Sequence, residues 1–182
     1  MTLSENERDF LLGLARKKIS STVNNHPFKS PTLFSESLKQ NCGAFVTLTR
    51  KGHLRGCIGY VTGVKPLQQA VEEMATAAAF EDPRFPPVQE KELNDLQIEI
   101  SVLSPLKKIT DINEITVGTH GLIISNGYRQ GLLLPQVAVE YNWDRKTFLE
   151  ETCHKAGLHS HAWQEDSTEI EIFSAVIFSE RS

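Results

Sequence analysis

Two apolar runs, Gly121–Ser125 and Tyr128–Leu134, flank the dipeptide Asn126-Gly127. Asn-Gly is the preferred centre of a type I′ turn, whose twist matches that of the two strands it joins. The segment is therefore predicted as a β-hairpin, which commits the chain to antiparallel pairing here. A second hairpin comes earlier: residues alternate from Phe45 to Arg50, pass Lys51-Gly52, and continue from His53 to Tyr60. Gln97–Leu103 sets Ile98, Ile100 and Val102 against Glu99 and Ser101, the alternation of a half-buried strand. Glu169–Phe178 reads as the last strand.

Helical periodicity fills the spaces between. Ser4 with Glu7 three residues on is a capping-box pattern, and Phe10, Leu11, Leu14, Ala15 and Ile19 follow at helical spacing, predicting a helix over Glu5–Ser20. Pro66 opens a second segment, in which Leu67, Ala70, Val71, Met74, Ala77 and Ala78 form one apolar stripe and Glu72 and Glu73 a wet face. Asp82-Pro83 stops it. Pro135 opens a short helical stretch, and Asn142 is the expected cap of a helix that carries Phe148, Leu149, Cys153 and Ala156 and stops at Gly157. Hairpins joined by helices, without regular strand-helix-strand alternation, predict an α+β fold with mainly antiparallel sheets flanked by helices.

Bulk properties narrow the function classes. The chain has 182 residues, enough to bury a core without a metal or disulfide. Its net charge of −4 argues against a domain built to hold nucleic acid, which carries a basic excess. Three cysteines, Cys42, Cys57 and Cys153, are an odd and sparse set without a CxxC pair, which reads as reduced thiols in a cytoplasm. No apolar run approaches the roughly 18 residues that a membrane span requires, so no membrane association is expected.

The run His53-Leu54-Arg55-Gly56-Cys57-Ile58-Gly59 gathers the residue types that carry chemistry. Side chains alternate along a strand, so an unbroken register places His53, Arg55 and Cys57 on one face, joined by Arg50 across the turn. Positive charge beside a thiol favours the thiolate, the attacking form. Cys57 and His53 are thus candidate catalytic residues, Arg55 a candidate anion holder, and Gly56 and Gly59 candidate points of close ligand approach. The same register sets Val46 and Leu48 on the face of Cys57, so the cysteine can equally be a small packed hydrophobe. Spacing leaves both readings open.

Leu54-Arg55-Gly56-Cys57-Ile58-Gly59 resembles the signature hexapeptide of the AMMECR-one domain family, preceded as in that family by Gly43–Leu48. The resemblance continues in order through Ala78–Pro87, Ile98–Ser104, His120–Ile124, Gly131–Val139, Trp143-Asp144 and Lys155–Leu158, covering about residues 5 to 178. It implies two unequal α+β subdomains with a cleft between them. The expected division puts residues 1–115 and 166–182, with both chain ends, in the larger subdomain and 116–165 in the smaller. Members are grouped with Memo-like and radical SAM proteins in the AmmeMemoRadiSam system, so such proteins are the partners that the resemblance implies. It assigns no reaction and names no cofactor.

Other groups are weaker. Glu81, Asp82 and Arg84 lie in a proline-rich turn that can present charge to a substrate or simply pin itself by a carboxylate–arginine pair. His120 opens the Asn126-Gly127 hairpin and is a candidate acid or base, with strand-end capping the plain alternative. His154, His159 and His161 near Cys153 match no closed metal site and read as surface histidines. No Walker loop, GxSxG elbow or HExxH is present. The expectation is an enzyme or enzyme component using Cys57, with Arg55 and Arg84 as anion holders; the alternative is a non-catalytic adaptor in which the hexapeptide is architecture.

Overall fold

A computed structural model describes residues 2–32 and 34–180. The chain divides into two compact units, Met1–Leu103 with Val176–Ser182, and Ser104–Ala175. The division expected from the sequence lies at 115/116 and 165/166. Within each unit the fold is α+β, and the strand pairs described are antiparallel.

In the first unit, helix α1 (Glu5–Val23) starts at Ser4, whose side chain accepts from the Glu7 N–H while the Glu7 carboxylate accepts from the Ser4 N–H, the reciprocal capping box. Strands β1 (Ala44–Arg50) and β2 (His53–Tyr60) form the first hairpin. Lys51 and Gly52 both have positive φ, 52° and 79°, as a type I′ turn requires. Helix α2 (Leu67–Phe80) follows, with Pro66 one position outside it as the cap. A 3₁₀ turn over Glu90–Asp95 then leads into β3 (Leu96–Leu103), which pairs with β1 on the side opposite β2. Ala44, Val46 and Leu48 of β1 and Ile98, Ile100 and Val102 of β3 are buried in one cluster with Leu11, Ala15 and Ile19 of α1 and Ala70, Val71 and Met74 of α2.

The second unit holds β4 (Lys107–Ile109), β5 (His120–Asn126), β6 (Arg129–Leu133), α3 (Pro135–Glu140), α4 (Arg145–Lys155) and the first part of β7 (Glu169–Ser179). Strand β5 pairs with both β6 and β7. Its core joins Leu122, Ile124, Ile170 and Ile172 of the strands to Phe148, Leu149 and Cys153 of α4. Two expectations shift here. Asn126 pairs with Arg129, so the two-residue turn is Gly127-Tyr128, with positive φ at Gly127 (61°) and not at Tyr128, the pattern of a type II′ turn. The Asn126 amide instead donates to Ser167 and Thr168 at 3.0 Å each, and those bonds hold Asn126 in the strand. The cap of α4 is Asp144, which accepts from the Thr147 N–H at 2.7 Å, and not Asn142, whose φ of 53° places it in the preceding turn.

Candidate functional site

The hairpin that carries Cys57 departs from an unbroken ladder at one residue. Thr49 pairs with Leu54, but Leu48 pairs with Gly56, so Arg55 is an extra residue in β2 and the register shifts there. Such a bulge moves every later side chain to the other face. Beyond it Cys57 pairs with Thr47, while Ile58 and Gly56 pair with the core residues Val46 and Leu48. The expected shared face of His53, Arg55 and Cys57 is therefore broken. His53 pairs with Arg50, whose position in β1 is of the opposite parity to that of Thr47. Val46 and Leu48 are likewise not the neighbours of Cys57.

Arg55, Asp82 and Arg84 have internal partners, and Gly56 and Gly59 a packing reason. Arg55 donates to Glu92 through Nε at 2.9 Å and Nη2 at 3.1 Å. Arg50 adds a third contact to the same carboxylate at 3.2 Å, and the Gln89 N–H a fourth at 2.9 Å. The side chains of Arg55 and Glu92 are only 11% and 8% exposed. Hydrogen bonds from Arg55, joined by the other donors, hold the Glu92 carboxyl at about 2, well below its ordinary range. Glu92 was not singled out in the sequence, where nothing in its local pattern marks a partner 37 residues distant.

Asp82 is the second organiser. It is buried, accepts the Cys57 backbone N–H at 2.9 Å, and is gripped by Arg84 through Nε at 2.9 Å and Nη2 at 2.7 Å. The Arg84 bonds come first among the causes that hold its carboxyl well below the carboxylate range. Arg84 Nη2 also lies 3.4 Å from the Cys57 carbonyl oxygen. Arg84 thus approaches Cys57 at the backbone. The Cys57 sulfur lies 3.3 Å from the Thr47 hydroxyl. Burial pushes the thiol up, a bias that the Thr47 contact and the Arg84 charge only partly offset. An arginine neutralised by its own carboxylate does little to lower a thiol.

The space at both glycines is taken by protein. A Cβ on Gly56 would lie 2.0 Å from the Ala78 carbonyl oxygen, so α2 crosses β2 at backbone contact. A Cβ on Gly59 would lie 2.2 Å from the Phe45 ring, which covers the glycine across the pair. These positions serve packing, not the ligand approach expected of them. Glu81 is exposed and lines a surface cavity of about 370 Å³ with Lys18, Tyr60 and Glu73, a group that does not include Cys57. His53 is exposed at the hairpin end. His120 belongs to the other unit, where its Nδ1 accepts from the Thr116 N–H at 3.1 Å and closes a turn. Cys153 is fully buried, and His154, His159 and His161 each face a separate carboxylate, Glu151, Glu165 and Glu150. Among the described residues, no group of three or more His, Cys, Asp or Glu is placed to hold a metal ion.

The family model AMMECR1 matches residues 12–178. The chain belongs to the AMMECR1 family. A protein of Methanothermobacter thermautotrophicus is 43% identical over 98% of this chain and 96% of its own length. Protein NEQ441 of Nanoarchaeum equitans is 41% identical over 93% of this chain and 98% of its own. The crystal structure of the uncharacterized protein PH0010 from Pyrococcus horikoshii is similar at a TM-score of 0.93 and 39% identity, covering 98% of this chain and 94% of that one. The α+β architecture is thus that of an AMMECR1 protein. No helix among the described residues is long and apolar enough to cross a membrane.

Proposed function

We propose that this AMMECR1 protein is a binding module of a larger cytoplasmic assembly, and that the Cys57 hexapeptide is its architecture and not a catalytic centre. The observation that carries this reading is that the two arginines of the motif and its turn are each engaged by a carboxylate, Arg55 by Glu92 and Arg84 by Asp82, and that Asp82 also accepts the cysteine N–H. A thiol enzyme needs the opposite, a cation with free valence toward sulfur and a depressed thiol. Burial instead raises Cys57. The partners that the family resemblance implies are Memo-like and radical SAM proteins. Three free cysteines accord with a reducing compartment.

Two measurements test the proposal together. Alkylation of Cys57 in the folded protein, followed by mass spectrometry against pH, is expected to stay slow up to neutral pH, with buried Cys153 as the unreactive control. Cys57→Ala is expected to co-purify with the Memo-like and radical SAM proteins as the wild type does. Selective labelling of Cys57 below neutral pH would restore the thiol-enzyme reading, with Arg84 as anion holder. Failure of the wild type to bind either protein would remove the adaptor role.

A further inference from the structure

The net charge of the chain is unevenly spread. Residues 104–175 hold ten Asp and Glu against six Lys and Arg, whereas the rest of the chain holds thirteen of each. The whole excess of −4 therefore belongs to the second unit. Such an asymmetry favours a partner surface of the opposite sign and steers its approach.

Within that unit, Val139-Glu140-Tyr141-Asn142-Trp143-Asp144 runs from the end of α3 to the start of α4 and holds two carboxylates and no cation. Val139 is 58% exposed and Tyr141 66%. Trp143 packs against the core of the unit, and the Tyr141 ring stacks on it, with centroids 5.1 Å apart and planes 19° from parallel. The tyrosine is thus held flat by a ring that the core itself holds, a preorganised platform with its other face in solvent. Glu140 adjoins it in the chain, and Asp144 is three residues on, at most about 11 Å away.

The other two tyrosines show what such a ring takes. Lys65 lies 5.9 Å from the centroid of Tyr60, and Arg129 5.9 Å from that of Tyr128. Among the described residues, no Lys or Arg stands over Tyr141. The two cations that follow it are turned elsewhere. Arg145 donates to the Ile115 carbonyl oxygen at 3.0 Å and to Asn113 at 2.8 Å, and Lys146 faces Glu150 at 3.8 Å.

We propose that the Tyr141 platform, with Glu140 and Asp144 beside it, is a docking face for a basic segment of a partner protein. An arginine or lysine of that segment stacks on the outer ring face, drawn by the ring quadrupole and by the two carboxylates. The acidic balance of the unit repels nucleic acid, so the occupant is a protein segment. The proposal rests on the reading of this chain as a binding module and deepens it by naming the face and the charge of what that face holds.

The test uses the full chain and two hexapeptides, one of arginine and one of citrulline, which keeps the side-chain shape without the charge. Calorimetry reads affinity, and circular dichroism checks that each variant is folded. The wild type is expected to bind the arginine peptide at least about tenfold more tightly than the citrulline peptide. Y141A is expected to weaken arginine-peptide binding about three- to tenfold, and Y141F to stay within about twofold, because the ring and not the hydroxyl attracts the cation. E140Q combined with D144N is expected to weaken it as Y141A does, while the asparagine keeps the α4 cap. That pair also reads the face if Y141A fails to fold. D166N combined with E169Q, which removes as much charge from the same unit, is expected to stay within about twofold.

Equal affinity for the two peptides, no binding of the arginine peptide, or full affinity in folded Y141A would overturn the proposal. So would equal losses in the two carboxylate pairs, which would assign the binding to diffuse charge and not to this face. No Memo-like or radical SAM protein enters the test, so the docking face and the adaptor role fail separately.

Discussion

Replacing Glu92 by glutamine removes one negative charge from a buried group that serves two arginines. In the wild type its carboxylate receives Arg55 twice, at 2.9 and 3.1 Å, Arg50 at 3.2 Å, and the Gln89 N–H at 2.9 Å. These donors lower its pKa from 4.5 to about 2. A depressed carboxylate stabilises the fold fully above its unfolded pKa, and that contribution is lost as pH falls through the folded one. At about 1.4 kcal/mol per tenfold, the displacement is worth up to about 3 kcal/mol at neutral pH. Arg50, whose side chain is 34% exposed, shares the carboxylate with solvent nearby and trims that value. Glu92→Gln is therefore expected to lose about 2–3 kcal/mol at pH 7, most of it from leaving the Arg55 charge buried and uncompensated. The gap to wild type should close between pH 4.5 and 2, where the native carboxyl takes up its own proton. Urea unfolding followed by far-ultraviolet circular dichroism across that range measures it. Tryptophan fluorescence would not, because Trp143 and Trp163 both lie in the other unit. A gap that is the same at every pH, or one below about 0.5 kcal/mol at pH 7, would refute the electrostatic account.

Three further outcomes are expected from the same assay or its equivalents. Gly56→Ala should cost about 1–3 kcal/mol or more, because its Cβ meets the backbone carbonyl of Ala78, which cannot rotate aside; a melting temperature equal to wild type would contradict the close crossing. Gly13→Ala, in α1 with nothing within 4 Å of the added Cβ, should stabilise by about 0.5–1 kcal/mol, seen as a raised urea midpoint. Ser4→Ala removes the acceptor of the Glu7 N–H and should cost about 1 kcal/mol; it also removes one hydroxyl donor to the Glu7 carboxylate, whose pKa of about 2 is held down first by Ser35 and then by Ser4, so that pKa should rise in a carboxyl NMR titration.

What the sequence disclosed was local. Ser4 and Glu7, three residues apart, disclose the start of α1 because the capping box is complete within one turn. Lys51-Gly52 disclose the first hairpin because positive φ at two adjacent positions needs no distant partner. Asn126-Gly127 misled by one residue because the Asn126 amide is held by Ser167 and Thr168, some forty residues away, and no propensity contains that contact. The site, too, is set by contacts that no local pattern contains. Arg55 forms a bulge between two regular stretches, and that single extra residue separates His53 from Cys57. The carboxylates that occupy the arginines, Glu92 and Asp82, reach β2 from 37 and 25 residues on in the chain. Asp82 stood out through its proline turn, whereas Glu92 had no such marker.

Strand β7 gives synthesis an unusual order. Residues 104–175 complete one unit, whereas the unit that holds the first 103 residues also needs 176–180. Glu180 in particular accepts from the Ile98 N–H at 3.0 Å and from Arg16 Nε at 2.9 Å, while its own N–H donates to the Ile98 carbonyl. A nascent chain emerging from the ribosome can therefore close its later-made unit first, while the earlier-made one waits with β3 unpaired along that side. Any event that ends translation before residue 176 leaves a finished second unit tethered to an unfinished first one. Quality-control proteases would meet that chain with its oldest part open and its youngest part closed.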